Sequence, residues 1–71
     1  MPAFKAREIV KILQKLGYIQ KRQTGSHLMM YNPKVKRLIP VPMHTKELKR
    51  GLVKGIIKQA ESTEKEFIKL K

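Results

Sequence analysis

Tyr18-Ile19-Gln20-Lys21-Arg22-Gln23-Thr24-Gly25-Ser26-His27-Leu28-Met29-Met30-Tyr31 is the stretch on which the fold turns. Thr24-Gly25-Ser26 reads as a tight turn, with Gly25 free to adopt positive φ. The residues on either side read as strands, over about 18–23 and 27–31. The letters of residues 25–29 match the scar of a cleaved affinity tag, but such a scar belongs at the start of a chain. Here they lie in the interior, so the stretch is read as native. Its histidine, just past a Gly-Ser turn, asks for an explanation.

Working outward, Asn32-Pro33-Lys34 is a second turn, and a third strand is expected over about 36–41. Pro40 and Pro42 cannot donate ladder hydrogen bonds, so that strand lies at an edge or ends there. The short links make all three strands antiparallel neighbours. Upstream, Ile9, Ile12, Leu13 and Leu16 form the apolar stripe of an amphipathic helix. Gly17 sits where a helix C-terminus favours a left-handed residue. Downstream, Leu48, Leu52, Val53, Ile56, Ile57 and Ala60 restore the helical period. Gly51 is expected near the start of that helix, and Gly55 to let it approach the sheet closely. Thr63 and Glu66 have capping-box spacing and open a short last helix. Its Phe67, Ile68 and Leu70 are expected to pack back on the core. The expected class is α+β: a three-stranded antiparallel sheet, both main helices on one face, the other face open, and one domain over residues 1–71.

Seventy-one residues hold one small core, and a chain this short buries only about 60% of its unfolded surface. A site would be shallow. With no cysteine, disulfides, thiol chemistry and cysteine zinc sites are excluded. No apolar run approaches the ~20 residues of a membrane span, and residues 1–5 carry no signal-like apolar stretch. The expectation is a soluble cytoplasmic protein with no membrane partner.

Charge is the strongest compositional feature: 17 Lys and Arg against 5 acids, net +12. Between Glu8 and Glu47 there is no acid, while Lys21, Arg22, Lys34, Lys36 and Arg37 fall in that interval. Such a footprint favours a polyanion, nucleic acid first. An acidic protein partner and a merely solvated surface are the other readings. Lys46, Lys49, Arg50 and Lys54 cluster around the start of the second helix, where backbone amides add positive potential. This is a candidate phosphate clamp. Tyr18 and Tyr31 are candidates for base stacking, with core packing the commoner role.

Candidates for chemistry are few. The chain has two histidines, His27 and His44, no paired carboxylates, no metal-ligand cluster and no phosphate-binding glycine loop. An enzyme built from these residues would use no metal or cofactor and would centre on histidine. RNA suits that, because its 2′-hydroxyl is a built-in nucleophile. Proton transfer by a histidine and cations beside the phosphate are sufficient. His27, with Lys21 and Arg22 on the preceding strand, is the first candidate. His44 could cap, contact phosphate or pack.

Four segments carry a family resemblance: Arg22-Gln23-x-Gly25-Ser26-His27, Val41-Pro42-x-His44, Lys46-Glu47-Leu48-Lys49-x-Gly51 and Ile56-x-Lys58-Gln59-Ala60. In order and spacing they resemble the HicA toxins, mRNA interferases of toxin–antitoxin systems. The resemblance spans nearly the whole chain. It implies an α-β-β-β-α fold like the double-stranded RNA-binding domain, with a short extra C-terminal helix here. It implies a metal-independent endoribonuclease that cleaves single-stranded mRNA and so inhibits translation and growth. It also implies a cognate HicB-like antitoxin that covers the site. His27 matches the family's catalytic histidine and Gly25 its turn glycine. Ser26, Lys21, Arg22, His44, Lys46, Lys49 and Arg50 are the supporting candidates for RNA. Two departures stand out. Leu52 replaces a frequent threonine, removing an expected helix cap, and Glu61 replaces a frequent glycine at the helix end. The alternative functions are a non-catalytic basic RNA-binding module and a basic adaptor for an acidic protein.

Overall fold

A computed structural model describes residues 2–43 and 47–71. Among them the elements run α1 (Ala6–Lys15), β1 (Ile19–Thr24), β2 (His27–Asn32), β3 (Arg37–Pro42), α2 (Arg50–Gln59) and α3 (Glu64–Leu70). The strands form one antiparallel sheet in the order β1-β2-β3. This is the expected α+β architecture, with the third strand at an edge.

α1 begins where the Glu8 carboxylate accepts the Lys5 backbone N–H at 2.8 Å, which satisfies one orphan donor of the first turn. It ends in a Schellman motif. Gly17 takes φ +102°, its N–H donates to the Gln14 carbonyl, and the Tyr18 N–H donates to the Leu13 carbonyl. That geometry takes Tyr18 out of the strand and into the core, where it is 3% exposed.

The buried face of α1 (Ile9, Ile12, Leu13) meets Met30, Ile39 and Val41 of the sheet. Val53, Ile56 and Ile57 of α2 complete the same cluster. Each fully buried side chain of this size contributes about 1.5–3 kcal/mol. Both helices therefore lie on one sheet face. β1 extends beyond their cover, and all six of its residues are exposed.

α2 starts earlier than the Leu52 departure suggested. Its N-cap is Lys49, with extended backbone and no side-chain cap, so Leu52 lies inside the helix and the missing threonine removes no cap. Gly55 does not serve a close approach: a Cβ there would meet nothing within 4 Å. The helix ends in a second Schellman motif with Glu61 in the left-handed position at φ +54°. The substitution for glycine leaves the geometry intact and adds an ion pair, Glu61 to Arg37 at 3.3 Å.

α3 opens as its spacing requires, with the Thr63 hydroxyl accepting the Glu66 N–H at 3.1 Å. Phe67 is fully buried, edge-on to Phe4 with ring centroids 6.3 Å apart. Leu70 packs at the margin of the core, whereas Ile68 stays 46% exposed. Phe4 belongs to a segment outside the expected elements. The Leu48 N–H donates to its carbonyl at 2.9 Å, and Lys5 bridges Glu47. These bonds hold the approach to α2 against the approach to α1.

Candidate functional site

Thr24 pairs with His27 across a two-residue loop. Gly25 takes φ +59°, and Ser26 has no positive φ. This is the pattern of a type II′ turn, whose first central residue is normally glycine and whose twist suits a hairpin. The turn fixes His27 as the first residue of β2. The Ser26 carbonyl accepts the Met43 N–H at 2.6 Å, so the end of β3 is tied to the same turn.

Side chains on a strand alternate between faces. On β2, Leu28, Met30 and Asn32 are buried against the helices, whereas His27, Met29 and Tyr31 look out from the open face. Register then defines three rows on that face. Thr24 and Pro42 flank His27; Arg22 and Pro40 flank Met29; Ile19 and Leu38 flank Tyr31. The His27 ring is exposed, and no strand carries an acid.

A bulge between Gln20 and Arg22 breaks the alternation of β1. It turns two consecutive cations to the open face. Arg22 becomes the diagonal neighbour of His27, a relation that places two residues about 7–8 Å apart, within reach of a long side chain. Lys21 is directed elsewhere: its Nζ lies 4.6 Å from the centroid of the Tyr31 ring. The structure thus brings Arg22, and not Lys21, alongside His27.

Lys49 and Arg50 are exposed at the start of α2, whose first turn holds no acid. They follow the end of β3 in the chain by seven and eight residues. Met43 is bonded to the hairpin turn, and Glu47 to Lys5. Four residues span at most about 14 Å. A small cavity nearby is lined by Pro2, Ala3, Phe4, Leu48, Arg50 and Val53; none of these is on the sheet. His44 and Lys46 lie outside the described residues. Among those described, no three of His, Asp and Glu come together, and no helix is long and apolar enough to cross a membrane.

Arg37 is engaged structurally. The buried Tyr18 hydroxyl lies against its guanidinium without a well-formed hydrogen bond, and Glu61 pairs with it. The Tyr18 hydroxyl pushes its pKa above the ordinary guanidinium range, burial opposes this, and Glu61 adds a smaller push upward. Arg37 therefore stays charged at any working pH.

The family model described as the HicA toxin of bacterial toxin-antitoxin matches residues 6–61 of the 71. The chain belongs to the HicA toxin family. A comparison with individual curated proteins gave no match. As a HicA toxin it is the toxin component of a toxin–antitoxin pair and has a cognate antitoxin as partner. The matched region covers both main helices and the whole sheet, including the Gly25-Ser26 turn and His27.

Sequence reasoning named Tyr31 and Arg22 but did not place them on one face with His27, and it passed over Met29. Met29 and Tyr31 sit two and four residues on, the spacing that shares a strand face. That was the available signal. The apolar character of Leu28 and Met29 alike concealed which residues face outward.

Proposed function

We propose that this HicA toxin is a metal-independent endoribonuclease that cleaves single-stranded mRNA, with His27 as its proton-transfer residue. The observation that carries the reading is the placement of His27. It is exposed, fixed by a glycine-dependent turn, and set on an acid-free sheet face one diagonal from Arg22. The mechanism uses what RNA brings. His27 takes the proton of a 2′-hydroxyl as the 2′-oxygen bonds to the adjacent phosphorus. The bond from phosphorus to the 5′-oxygen breaks, and a proton is delivered to that leaving oxygen. The products are a 2′,3′-cyclic phosphate and a 5′-hydroxyl. Positioned proton transfer of this kind is worth about 10²–10⁴-fold in rate.

Arg22 answers the charge that builds on the phosphoryl oxygens. A guanidinium suits this because it donates in a planar fork and never deprotonates. Lys49 and Arg50 are assigned to flanking phosphates, and Gly25 and Ser26 to holding the turn. His44 is the sequence candidate for the second proton transfer, and Lys46 for a further phosphate contact. The partner that silences the toxin is assigned as a HicB-like antitoxin covering this face.

The test analyses fragment ends. Purified protein and its His27→Ala variant are incubated with single-stranded RNA in excess chelator. Cyclic-phosphate ends from the parent only are expected. Equal cleavage by both would remove His27 from the mechanism. RNA retained but uncut by both would favour the non-catalytic binding module.

A further inference from the structure

The open sheet face carries more than the proposed catalytic row. Two rows beyond His27, the half-buried Tyr31 stands between Ile19 and Leu38, which are 54% and 43% exposed. At about 3.4 Å per residue, Tyr31 lies ~14 Å along the strand from His27, a distance an extended strand covers in a few nucleotides. The two tyrosines therefore part company. Tyr18 is core, whereas Tyr31 presents its ring on the face that holds the histidine.

We infer that this face is the path of single-stranded RNA, and that Tyr31 is a platform on which a base near the scissile phosphate stacks. The inference rests on the ribonuclease reading for the direction of the path, and it adds the residue that grips the base. Two observations support RNA as the occupant. The sheet holds no acid. The Tyr31 end is flanked by Lys21 across the ring and by exposed Lys34 and Lys36 in the following turn. A flat aromatic bordered by cations suits a nucleotide, whose base stacks while its phosphate pairs. Lys21 fits the same picture. An ammonium at the solvent-facing side of a half-buried ring is weakly held, so an incoming base displaces it toward the adjoining phosphate. A sheet-borne aromatic that stacks bases is an established mode of single-strand recognition.

The test measures binding apart from cleavage. In a His27→Ala background, a short fluorescein-labelled single-stranded RNA of mixed sequence is titrated by anisotropy with Tyr31 kept, or changed to Phe, Leu or Ala. Thermal unfolding of each variant is followed in parallel. Tyr31→Ala and Tyr31→Leu are expected to weaken binding about 5- to 100-fold, and Tyr31→Phe to bind within about twofold of the parent. Leucine keeps the sheet covered but lacks a π face, so Tyr31→Leu binding like the parent overturns the platform. Unchanged affinity of a folded Tyr31→Ala variant overturns the path as well, including the case in which that variant loses the antitoxin instead. With His27 restored, Tyr31→Ala is expected to raise KM and leave kcat unaltered; a fall in kcat alone contradicts a binding role. Tyr31-dependent binding by a parent that cuts nothing would sink the catalytic reading and leave the platform standing.

Discussion

Gly25 allows the turn geometry to be tested with a worked magnitude. At φ +59° a side chain at this position is strained, at a cost of roughly 1–2 kcal/mol for an L-residue. A Cβ here meets nothing within 4 Å, so no steric penalty adds to that. Alanine also removes glycine's extra freedom in the unfolded chain, which returns about 0.4–1 kcal/mol. The net expectation for Gly25→Ala is a loss of about 1 kcal/mol, or roughly 4–8 °C in Tm for a domain of this size. Gly25→Asn should lose a comparable amount, because the first central position of a type II′ turn lies outside the αL region that asparagine tolerates. Thermal unfolding by circular dichroism measures both. An unchanged or raised Tm for Gly25→Ala would refute the positive φ. A loss of several kcal/mol would mean that the turn is packed and not open. Because His27 follows two residues later, Gly25→Ala should also slow RNA cleavage beyond what its unfolded fraction explains.

Gly55→Ala should stabilise the protein by about 1 kcal/mol, since the site has room for a methyl group; a lower Tm would show that the helix is held closer to its neighbours. Phe67→Ala should cost about 3–5 kcal/mol by removing the ring that packs on Phe4. For a chain whose total stability is on the order of 4–10 kcal/mol, urea titration should find at least about a third of it lost. Arg22→Ala should weaken RNA binding and lower the slope of log K against log salt by about 1. A slope equal to the parent's would remove Arg22 from the phosphate.

Much of this fold is legible because its decisive residues have one physical use. Gly17 and Gly25 mark the two positive-φ positions that end α1 and turn the hairpin. Pro40 and Pro42 mark an edge strand, and Thr63 a helix cap. What escaped reading has physical reasons too. The bulge at Lys21 lies within Gln20-Lys21-Arg22-Gln23, a run with no apolar residue whose alternation could reveal a slip in register. Glu61 and Lys36 adopt left-handed backbone without being glycine, and nothing in their side chains announces it. The segment of Phe4 is held by the Leu48 N–H and by the bridge from Lys5 to Glu47, more than forty residues away. At the site, the histidine and its turn were visible in the sequence. The split between Tyr18 and Tyr31 required the Schellman geometry that draws the first inward and the strand parity that turns the second outward.

The most direct measurement is the single-turnover cleavage rate of one defined single-stranded RNA by the parent and by His27→Ala. Both are assayed at saturating protein with excess chelator, and binding is measured alongside. Loss of about 10²–10⁴-fold in rate with RNA affinity retained is the predicted result. A His27→Ala variant that cuts at the parent's rate would contradict the account at its centre.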